Sequence, residues 1–272
     1  MKLIVRLLIA VVFFSSCTGR FGKIMKSTDN EYKYKMAEKF YAEKKWSHAQ
    51  ELYDNLMSYM RGTPRYENMY YKYAYTAYYQ KDYMNAEQLF KTFSDNFPTS
   101  QYLEEVYYNR AYCFYMQSPR VELDQTPTQK AMATFQEFVN SYPNSTRTKQ
   151  ANDIVNACKA KLEKKEFLGC QLYYNLGFYK AAYTTFELLM DDYPDSDHTD
   201  EYLLKSIQSM YEYSKMSLPM HQSERYNKVV SECDDFLSRF KNSNFATSVT
   251  DYKNLAVTAL NKIKNEQNQK AN

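Results

Sequence analysis

The sequence predicts an all-α fold in which helical hairpins stack into a solenoid. A Tyr-x-x-Ala-x-x-x-Tyr motif recurs three times at a spacing of 37 residues. A second pattern follows each copy, in which large apolar residues come four, seven and eleven positions after a small residue. Periods of this length are typical of stacked supersecondary units that bury their hydrophobic faces against their neighbours. Such solenoids present long concave surfaces, so the predicted fold favours a binding function.

Each unit is predicted to contain two helices, the first carrying the Tyr-Ala-Tyr motif and the second carrying one apolar stripe. The copies of the first motif are Tyr34/Ala37/Tyr41, Tyr71/Ala74/Tyr78 and Tyr108/Ala111/Tyr115. The copies of the second are Ala49/Tyr53/Leu56/Met60, Ala86/Phe90/Phe93/Phe97, Ala131/Phe135/Phe138/Tyr142, Ala182/Phe186/Leu189/Tyr193 and, more loosely, Val229/Cys233/Phe236/Phe240. The small residues allow the two helices of a hairpin to approach closely.

Proline marks where several second helices end. Pro98, Pro143 and Pro194 each follow the last aromatic residue of a stripe, and the residue before a proline is disfavoured in a helix. A serine two positions later is suited to cap the next helix. We therefore expect helices near 31–43, 47–61, 66–79, 83–96, 100–117, 127–142, 145–175, 179–192, 198–216, 223–240 and 245–264.

The third unit contains extra residues. Its motif tyrosine, Tyr115, precedes Ala131 by sixteen residues, whereas the first two units need eight. The insertion lies in residues 118–128 and carries Pro119 and Pro127, and we expect Thr126-Pro127 to begin the following helix. Two interpretations stay open, a loop that carries contacts and an insertion that the fold tolerates.

The arrangement of small residue, aromatic residues and proline resembles the tetratricopeptide repeat over residues 31–243. The resemblance implies a helical-hairpin solenoid of about five repeats with a C-terminal capping helix. We expect the repeat domain to cover residues 31–265 and a polar, frayed tail to cover 266–272.

The N-terminus has the features of an export signal. In residues 1–16, Lys2 and Arg6 flank an apolar run that Ser15 and Ser16 close before Cys17. The run is too short to span a bilayer comfortably. Ser-Ser-Cys resembles a bacterial lipobox, which implies lipidation of Cys17, with 17–30 as a flexible tether. The alternative is a plain secretory signal with a chance cysteine.

By the same resemblance, the residues after Cys17 indicate where in the cell envelope the lipoprotein is sorted. Thr18 is not the aspartate that retains lipoproteins at the inner membrane, which implies an outer-membrane anchor. No acidic cluster follows, so we expect the protein to face the periplasm. That compartment permits disulfides among Cys113, Cys158, Cys170 and Cys233. Because Cys170 and Cys233 occupy packing positions of the repeats, we favour buried thiols.

Two segments resemble the BamD (ComL-type) family of lipoproteins. They are DQTPTQKAMATFQEFVNSYPNS at 124–145 and LEKKEFLGCQLYYNLGFYKAAYTTFELLMDDYPDS at 162–196. The resemblance implies a periplasmic scaffold of the machinery that assembles outer-membrane β-barrels, binding the barrel-forming subunit and unfolded outer-membrane proteins. In that family, cations near the turn of the fourth unit hold the main partner. Leu176 and Thr185 stand there instead, with Lys180 the nearest cation, so we do not transfer those contacts.

Tyrosines predict a peptide-binding groove in the first three units. Positions i, i+4 and i+7 of each first helix face the concave side of the repeat, and eight of these nine positions are tyrosine: Tyr34, Tyr41, Tyr71, Tyr75, Tyr78, Tyr108, Tyr112 and Tyr115. Tyrosine rings cover apolar side chains and their hydroxyls meet exposed main-chain groups, which suits an extended peptide. The alternative is that these rings only stack on one another between neighbouring helices.

Other functions find no support in the sequence. The net charge of +3 falls to +1 without residues 1–16, which carry Lys2 and Arg6, and this gives no electrostatic case for nucleic acid. The three histidines lack metal-ligand spacing, and no nucleophile-base set or phosphate-binding loop is visible. We expect no enzyme, cofactor or metal. Alternative functions are a periplasmic tetratricopeptide lipoprotein that scaffolds a cell-wall or secretion complex and, more weakly, a carbohydrate-binding lipoprotein.

Overall fold

The computed structural model describes residues 19–271 of the chain, and side chains for 19–269. The predicted signal peptide at 1–16 and the predicted lipidation site Cys17 lie outside the described residues. Within this part, every regular element is a helix. The all-α prediction is therefore confirmed.

The described residues form two compact units, 19–159 and 160–271, with the boundary inside the eighth helix. Unit 1 contains a helical segment α1 at 19–25, α2 (Asn30–Ala42), α3 (Trp46–Met60), α4 (Tyr66–Tyr79), α5 (Tyr83–Asn96), α6 (Leu103–Gln117), α7 (Thr126–Ser141) and the first part of α8 (Thr148–Asn175). Unit 2 contains the rest of α8, α9 (Tyr179–Asp192), α10 (Thr199–Lys215), α11 (Pro219–Arg239) and α12 (Ala246–Ala271). In each unit consecutive helices pack as antiparallel neighbours in a tetratricopeptide-like solenoid.

The repeat patterns form the cores of both units. In unit 1 the small residues Ala37, Ala74 and Ala111 are fully buried against the aromatic stripes of α3, α5 and α7. In unit 2 Cys170 packs with Ala182, Phe186 and Leu189. Because every stripe position inside the second helices is buried, the 3.6-residue periodicity alone explains which faces meet.

The capping helix also forms as predicted. One face of α12 buries Val249 and Ala256 against α10 and α11. The helix continues to Ala271, whereas the sequence predicted an end near 264 and a frayed tail at 266–272. Residues 265–271 contain neither proline nor glycine, so nothing in their local chemistry ends the helix.

Two boundary predictions need correction. Helix α11 begins at Pro219 rather than 223, because proline at the first helical position loses no hydrogen bond there. The serines after Pro98 and Pro194 are not N-caps, since the caps are Tyr102 and His198. Each serine instead accepts a hydrogen bond from the backbone N–H two residues later, at 3.0–3.1 Å.

The residues predicted as a flexible tether are partly helical and packed. Ile24 in α1 is buried, and Phe21 lies against Phe40 and His48, with ring centroids 5.9 and 4.2 Å apart. The tether prediction overlooked that residues 21, 24 and 25 are apolar at helical spacing, which gives the segment a face to bury.

The insertion of the third unit is held by one buried side chain. The amide nitrogen of Gln125 donates to the carbonyl oxygens of residues 120, 121 and 123, and its oxygen accepts from Thr128 Oγ1 at 2.7 Å. Pro127 stands in the first turn of α7, as predicted, while the N-cap is Gln125.

All four cysteines of the described chain are buried thiols, as favoured from the sequence. Burial raises the pKa of the Cys233 thiol to about 12 and raises that of Cys113 further. The protonated thiols behave as small apolar side chains.

Candidate functional site

Unit 1 brings the predicted tyrosines together on neighbouring helices. We call the surface formed by Tyr34, Tyr41, Tyr71, Tyr75, Tyr78, Tyr108, Tyr112 and Tyr115 the tyrosine groove. Tyr75 and Tyr108 are buried and the other six are half-buried. None is fully exposed, so each ring already packs against neighbours.

The rings form a continuous series from α4 to α6. Tyr71 contacts Tyr75 with 4.7 Å between ring centroids, and Tyr75 contacts Tyr78 at 5.8 Å. Tyr78 and Tyr112 then join the two helices at 6.3 Å. Tyr112 continues the series to Tyr108 and Tyr115, at 6.4 and 6.1 Å. Ring stacking, the alternative raised by the sequence, accounts for these contacts.

The remaining two tyrosines lie at the other end of the groove. Tyr41 packs edge-on against Trp46 at 5.2 Å, and the guanidinium carbon of Arg65 lies 5.3 Å from the Tyr34 ring. The structure thus brings six of the eight tyrosines into one series of ring contacts on α4 and α6. Tyr34 and Tyr41 lie outside this series and contact Arg65 and Trp46 instead.

Between α4, α6 and the start of α8 the groove opens into a cavity of about 360 Å³. Tyr75, Tyr78, Tyr108 and Tyr112 line it, together with polar side chains that the sequence did not single out: Glu105, Asn109, Arg147 and Gln150. Glu105 and Asn109 share a face of α6 with Tyr108 and Tyr112, so helical periodicity could have indicated them. Arg147 and Gln150 come from another repeat, and their position depends on how the hairpins stack.

The cavity contains one polar group without a partner. Tyr75 Oη donates to Glu105 and accepts from the amide of Asn109. Tyr108 Oη, by contrast, is buried and forms no hydrogen bond within residues 19–271. The guanidinium carbon of Arg147 lies 5.0 Å from the Tyr108 ring. A buried hydroxyl without a partner is costly, so a small movement that exposed it to a peptide carbonyl would satisfy it.

Two of the groove hydroxyls, those of Tyr71 and Tyr75, are held in the neutral form. Burial raises the pKa of Tyr71 to about 12 and raises the pKa of Tyr75 still further, with the nearby Glu105 adding to both. Around its cavity the groove therefore offers hydrogen bonds and ring faces, together with the charged groups of Arg147 and Glu105, which lie 3.9 Å apart.

Unit 2 carries a second candidate surface, which we call the apolar pocket. It is a concavity of about 850 Å³ between the α8–α9 turn and the α10–α11 turn. Phe178, Met216 and Leu218 line it with 59%, 71% and 65% of their surfaces exposed. Large apolar side chains this exposed and this close together are typical of protein-interaction sites.

Backbone geometry and a few polar groups shape this pocket. Gly177 has a φ of +79°, a conformation that favours glycine, and it turns the chain so that Phe178 faces outwards. Arg225 places its guanidinium carbon 4.0 Å from the Tyr213 ring and donates to Ser217 Oγ. The floor is therefore aromatic and aliphatic, with cations at its rim.

The structure places the fourth-unit turn at this pocket. Lys180 and Thr185 line it, and Leu176 is exposed nearby in the turn that follows α8. Sequence reasoning noted the missing cations at this turn but not Arg225, which comes from α11 and reaches the pocket only through the packing of unit 2. Among the described residues no cluster of His, Cys, Asp or Glu could hold a metal ion, and no helix is long and apolar enough to span a bilayer.

Comparison with known proteins identifies one family. The family model YfiO, described as outer membrane lipoprotein, matches residues 26–228. Among solved structures, the TPR2AB-domain:pHSP90 complex of yeast Sti1 has a TM-score of 0.37 and 10% identity, covering 84% of this chain and 98% of that one. The apo form of RapI has a TM-score of 0.37 and 13% identity, covering 90% and 89%. Neither structural likeness carries an argument about function.

Proposed function

The chain belongs to the YfiO family of outer membrane lipoproteins, and on this premise we propose that it is a non-enzymatic, BamD-like scaffold of the machinery that assembles outer-membrane β-barrels. It is held in the outer membrane by lipid on Cys17 and faces the periplasm. It binds the barrel-forming subunit through one surface and unfolded outer-membrane protein segments through another.

The apolar pocket carries this proposal. A periplasmic domain of the barrel-forming subunit binds there, burying Phe178, Met216 and Leu218, which water otherwise surrounds. Burying apolar area contributes roughly 25 cal/mol per Å², and partly exposed aromatic and aliphatic anchors in a concavity are typical hot spots. Arg225 and Lys180 at the rim fit carboxylates on that partner.

The tyrosine groove supports the second binding activity. Its rings offer apolar faces to the aromatic and aliphatic side chains of an unfolded barrel strand. The amide of Gln150 lines the cavity and suits the main chain of an extended segment. The unpartnered Tyr108 hydroxyl would become a second donor once the segment displaces the groups that cover it. The rings are already packed together, so they lose little conformational freedom when a peptide binds.

Affinity isolation from native membranes tests the docking surface. Tagged protein is extracted in mild detergent and its partners are identified by mass spectrometry, for the parent chain and for Phe178→Glu and Leu218→Glu. We expect the parent to retain the barrel-forming subunit and both variants to lose at least about tenfold of it, since each places a charge in an apolar interface.

Met84→Glu is the matched control, because Met84 is 72% exposed on α5 in unit 1, outside the apolar pocket. It should leave recovery unchanged. Recovery of cell-wall or secretion proteins in place of barrel-assembly subunits would contradict the proposed function and favour the alternative scaffold.

A further inference from the structure

Helix α1 has two chemically distinct faces. Phe21, Ile24 and Met25 turn towards unit 1, where they join the core formed by α2 and α3. Arg20 and Lys23 on α1, and Lys26 in the turn that follows it, are exposed. At about 100° per residue these cations centre about 150° away from the apolar set, with Arg20 at the edge, one turn before Ile24. The apolar face is already used for packing, so the cationic face is the one left for a partner.

The position of α1 is fixed by tertiary contacts. Ile24 is only 6% exposed, and the Phe21 ring lies edge-on 4.2 Å from His48 of α3. The backbone N–H of Lys26 also donates to the carbonyl of Gly22 at 3.2 Å, which closes the helix. The three cations are therefore presented by a rigid part of unit 1.

Positive charge is concentrated at this end of unit 1. Residues 19–45 contain eight Lys and Arg against four Asp and Glu, a net charge of +4, whereas the whole chain carries +3. Arg20, Lys23 and Lys26 form no ion pair with the carboxylates of residues 19–271, unlike Lys39 and Lys45, which pair with Glu43. These three cations are thus not already engaged by a carboxylate of the described residues, and an external anion can approach them.

The anchor lies within reach of this face. Only two peptide units separate Cys17 from Gly19, and a chain extends at most about 3.6 Å per residue, so their Cα atoms are within about 7 Å. A lipid on Cys17 therefore brings the start of α1 to the headgroup region of the membrane.

We propose that the cationic face of α1 binds anionic phospholipid headgroups beside the lipidated Cys17 and holds unit 1 against the membrane surface. This inference rests on the lipid anchor of the proposed function. A membrane surface fits better than an acidic protein groove, because the cations stand on a convex helix next to the anchor. Each Lys or Arg near an anionic surface contributes about 1 kcal/mol, or about fivefold in binding.

Headgroup contact can be measured on the full lipoprotein. Gly22→Cys provides a labelling site, since a side chain there meets nothing within 4 Å and the cysteines of the described chain are buried. A fluorophore on this thiol is quenched by nitroxide-headgroup lipid in vesicles. We expect strong quenching in vesicles with 30% phosphatidylglycerol, and loss of most of it in pure phosphatidylcholine or in 0.5 M salt.

The decisive variant is Arg20→Glu/Lys23→Glu/Lys26→Glu in the labelled chain. It should shift the equilibrium between bound and released α1 by more than about a hundredfold and abolish the anionic-lipid quenching. The control Lys241→Glu/Lys262→Glu/Lys264→Glu changes as many exposed cations in unit 2 and should retain the quenching. All six side chains are exposed, so unchanged circular dichroism should confirm that both variants fold.

Equal quenching in neutral and anionic vesicles would overturn the proposal. Equal losses of quenching in the two triple variants would also overturn it, because they would show that the signal depends only on the net charge of the protein. Intact mass of the same sample tests lipidation of Cys17 separately, and vesicle flotation in neutral lipid tests the anchor. A failure of headgroup binding can therefore be distinguished from a failure of the proposed function.

Discussion

Ser100 donates its hydroxyl hydrogen bond to the Glu67 carboxylate at 2.6 Å across 33 residues of sequence. The bond joins the start of α6 to the first turn of α4, the first helices of two successive repeats. The same link recurs three times: Ser145 to Glu104, Ser196 to Glu163 and Ser243 to Asp200. The serine that follows four of the five stripes therefore connects neighbouring repeats rather than capping a helix.

Removing this link should destabilise unit 1 measurably. For Ser100→Ala we expect a loss of about 1–2 kcal/mol in the free energy of unfolding, since a hydrogen bond to a charged acceptor and a bond from the Tyr102 N–H are both lost. Urea denaturation of the variant, of Glu67→Gln and of the double variant measures the coupling. Additive losses in this cycle would show that the two side chains do not interact. Ser58→Ala on the exposed face of α3 is the control.

A buried ion pair in unit 1 should be more sensitive. Glu87 on α5 accepts from Arg110 Nε on α6 at 2.8 Å, with side chains only 6% and 21% exposed. Arg110→Leu leaves a buried carboxylate without its cation, and we expect a loss of about 3–5 kcal/mol. Breaking the exposed Lys91–Asp95 pair by Lys91→Ala should cost at most about 0.5 kcal/mol. A similar, small loss in both variants would mean that Glu87 is solvated or paired elsewhere.

Glu232 in unit 2 should make stability depend on pH. Burial, with the nearby Glu187 and Asp235, raises its pKa from 4.5 to about 7, although the hydrogen bond from Tyr183 and the nearby Lys228 act to lower it. The folded state thus keeps a proton that the unfolded chain releases. The stabilisation is full below about pH 4.5, and roughly 3 kcal/mol is lost as the pH rises through 7.

The variant Glu232→Gln should remove this dependence. Between pH 4.5 and 7.5 the variant should lack the loss of roughly 3 kcal/mol in the free energy of unfolding that the parent shows. At pH 8 the variant should be more stable than the parent. Glu224→Gln, an exposed position on the same helix, should retain the parent's profile. Thermal denaturation across this range checks both, and parallel curves for parent and Glu232→Gln would show that another group is responsible.

The tyrosine groove should bind extended aromatic peptides through its central rings. For Tyr112→Ala we expect affinity for a peptide from an unfolded barrel strand to fall about tenfold or more, because this ring joins Tyr78 to Tyr108 and lines the cavity. Fluorescence anisotropy with a labelled peptide measures the change. Tyr59→Ala removes a ring that is 48% exposed on α3, outside the groove, and should leave affinity unchanged. Equal affinities for parent and Tyr112→Ala would leave ring stacking as the groove's only role.

Local periodicity predicted the candidate groove but not its depth. The eight tyrosines follow from i, i+4 and i+7 spacing, and their helices formed where expected. Whether a ring is buried depends on the neighbouring hairpin: Tyr75 is covered because Asn109 and Glu105 of α6 reach it, and Tyr108 because Arg147 lies above it. These partners stand 30 to 39 residues away in sequence, beyond any local pattern.

The apolar pocket likewise could not be predicted from local sequence, because it depends on which side chains stay exposed. The sequence around Gly177 indicates a turn, but it does not show that the neighbouring aromatic side chains are exposed to solvent. Phe178 and Leu218, which directly precede α9 and α11, form one surface only when unit 2 is packed. Arg225, on the second turn of α11, joins the same surface. Sequence identified the fourth-unit turn through a family resemblance and could not show that its chemistry is apolar.

By itself, the sequence determined the helical class, the hairpin repeat, most helix bounds and the buried thiols, because helix periodicity and proline stops are local properties of the chain. Tertiary structure alone decided that residues 19–25 are a packed helix rather than a tether, that the repeat serines join acids on neighbouring repeats, and which aromatic side chains stay exposed. These outcomes depend on contacts between residues far apart in sequence, whose energies no single segment contains.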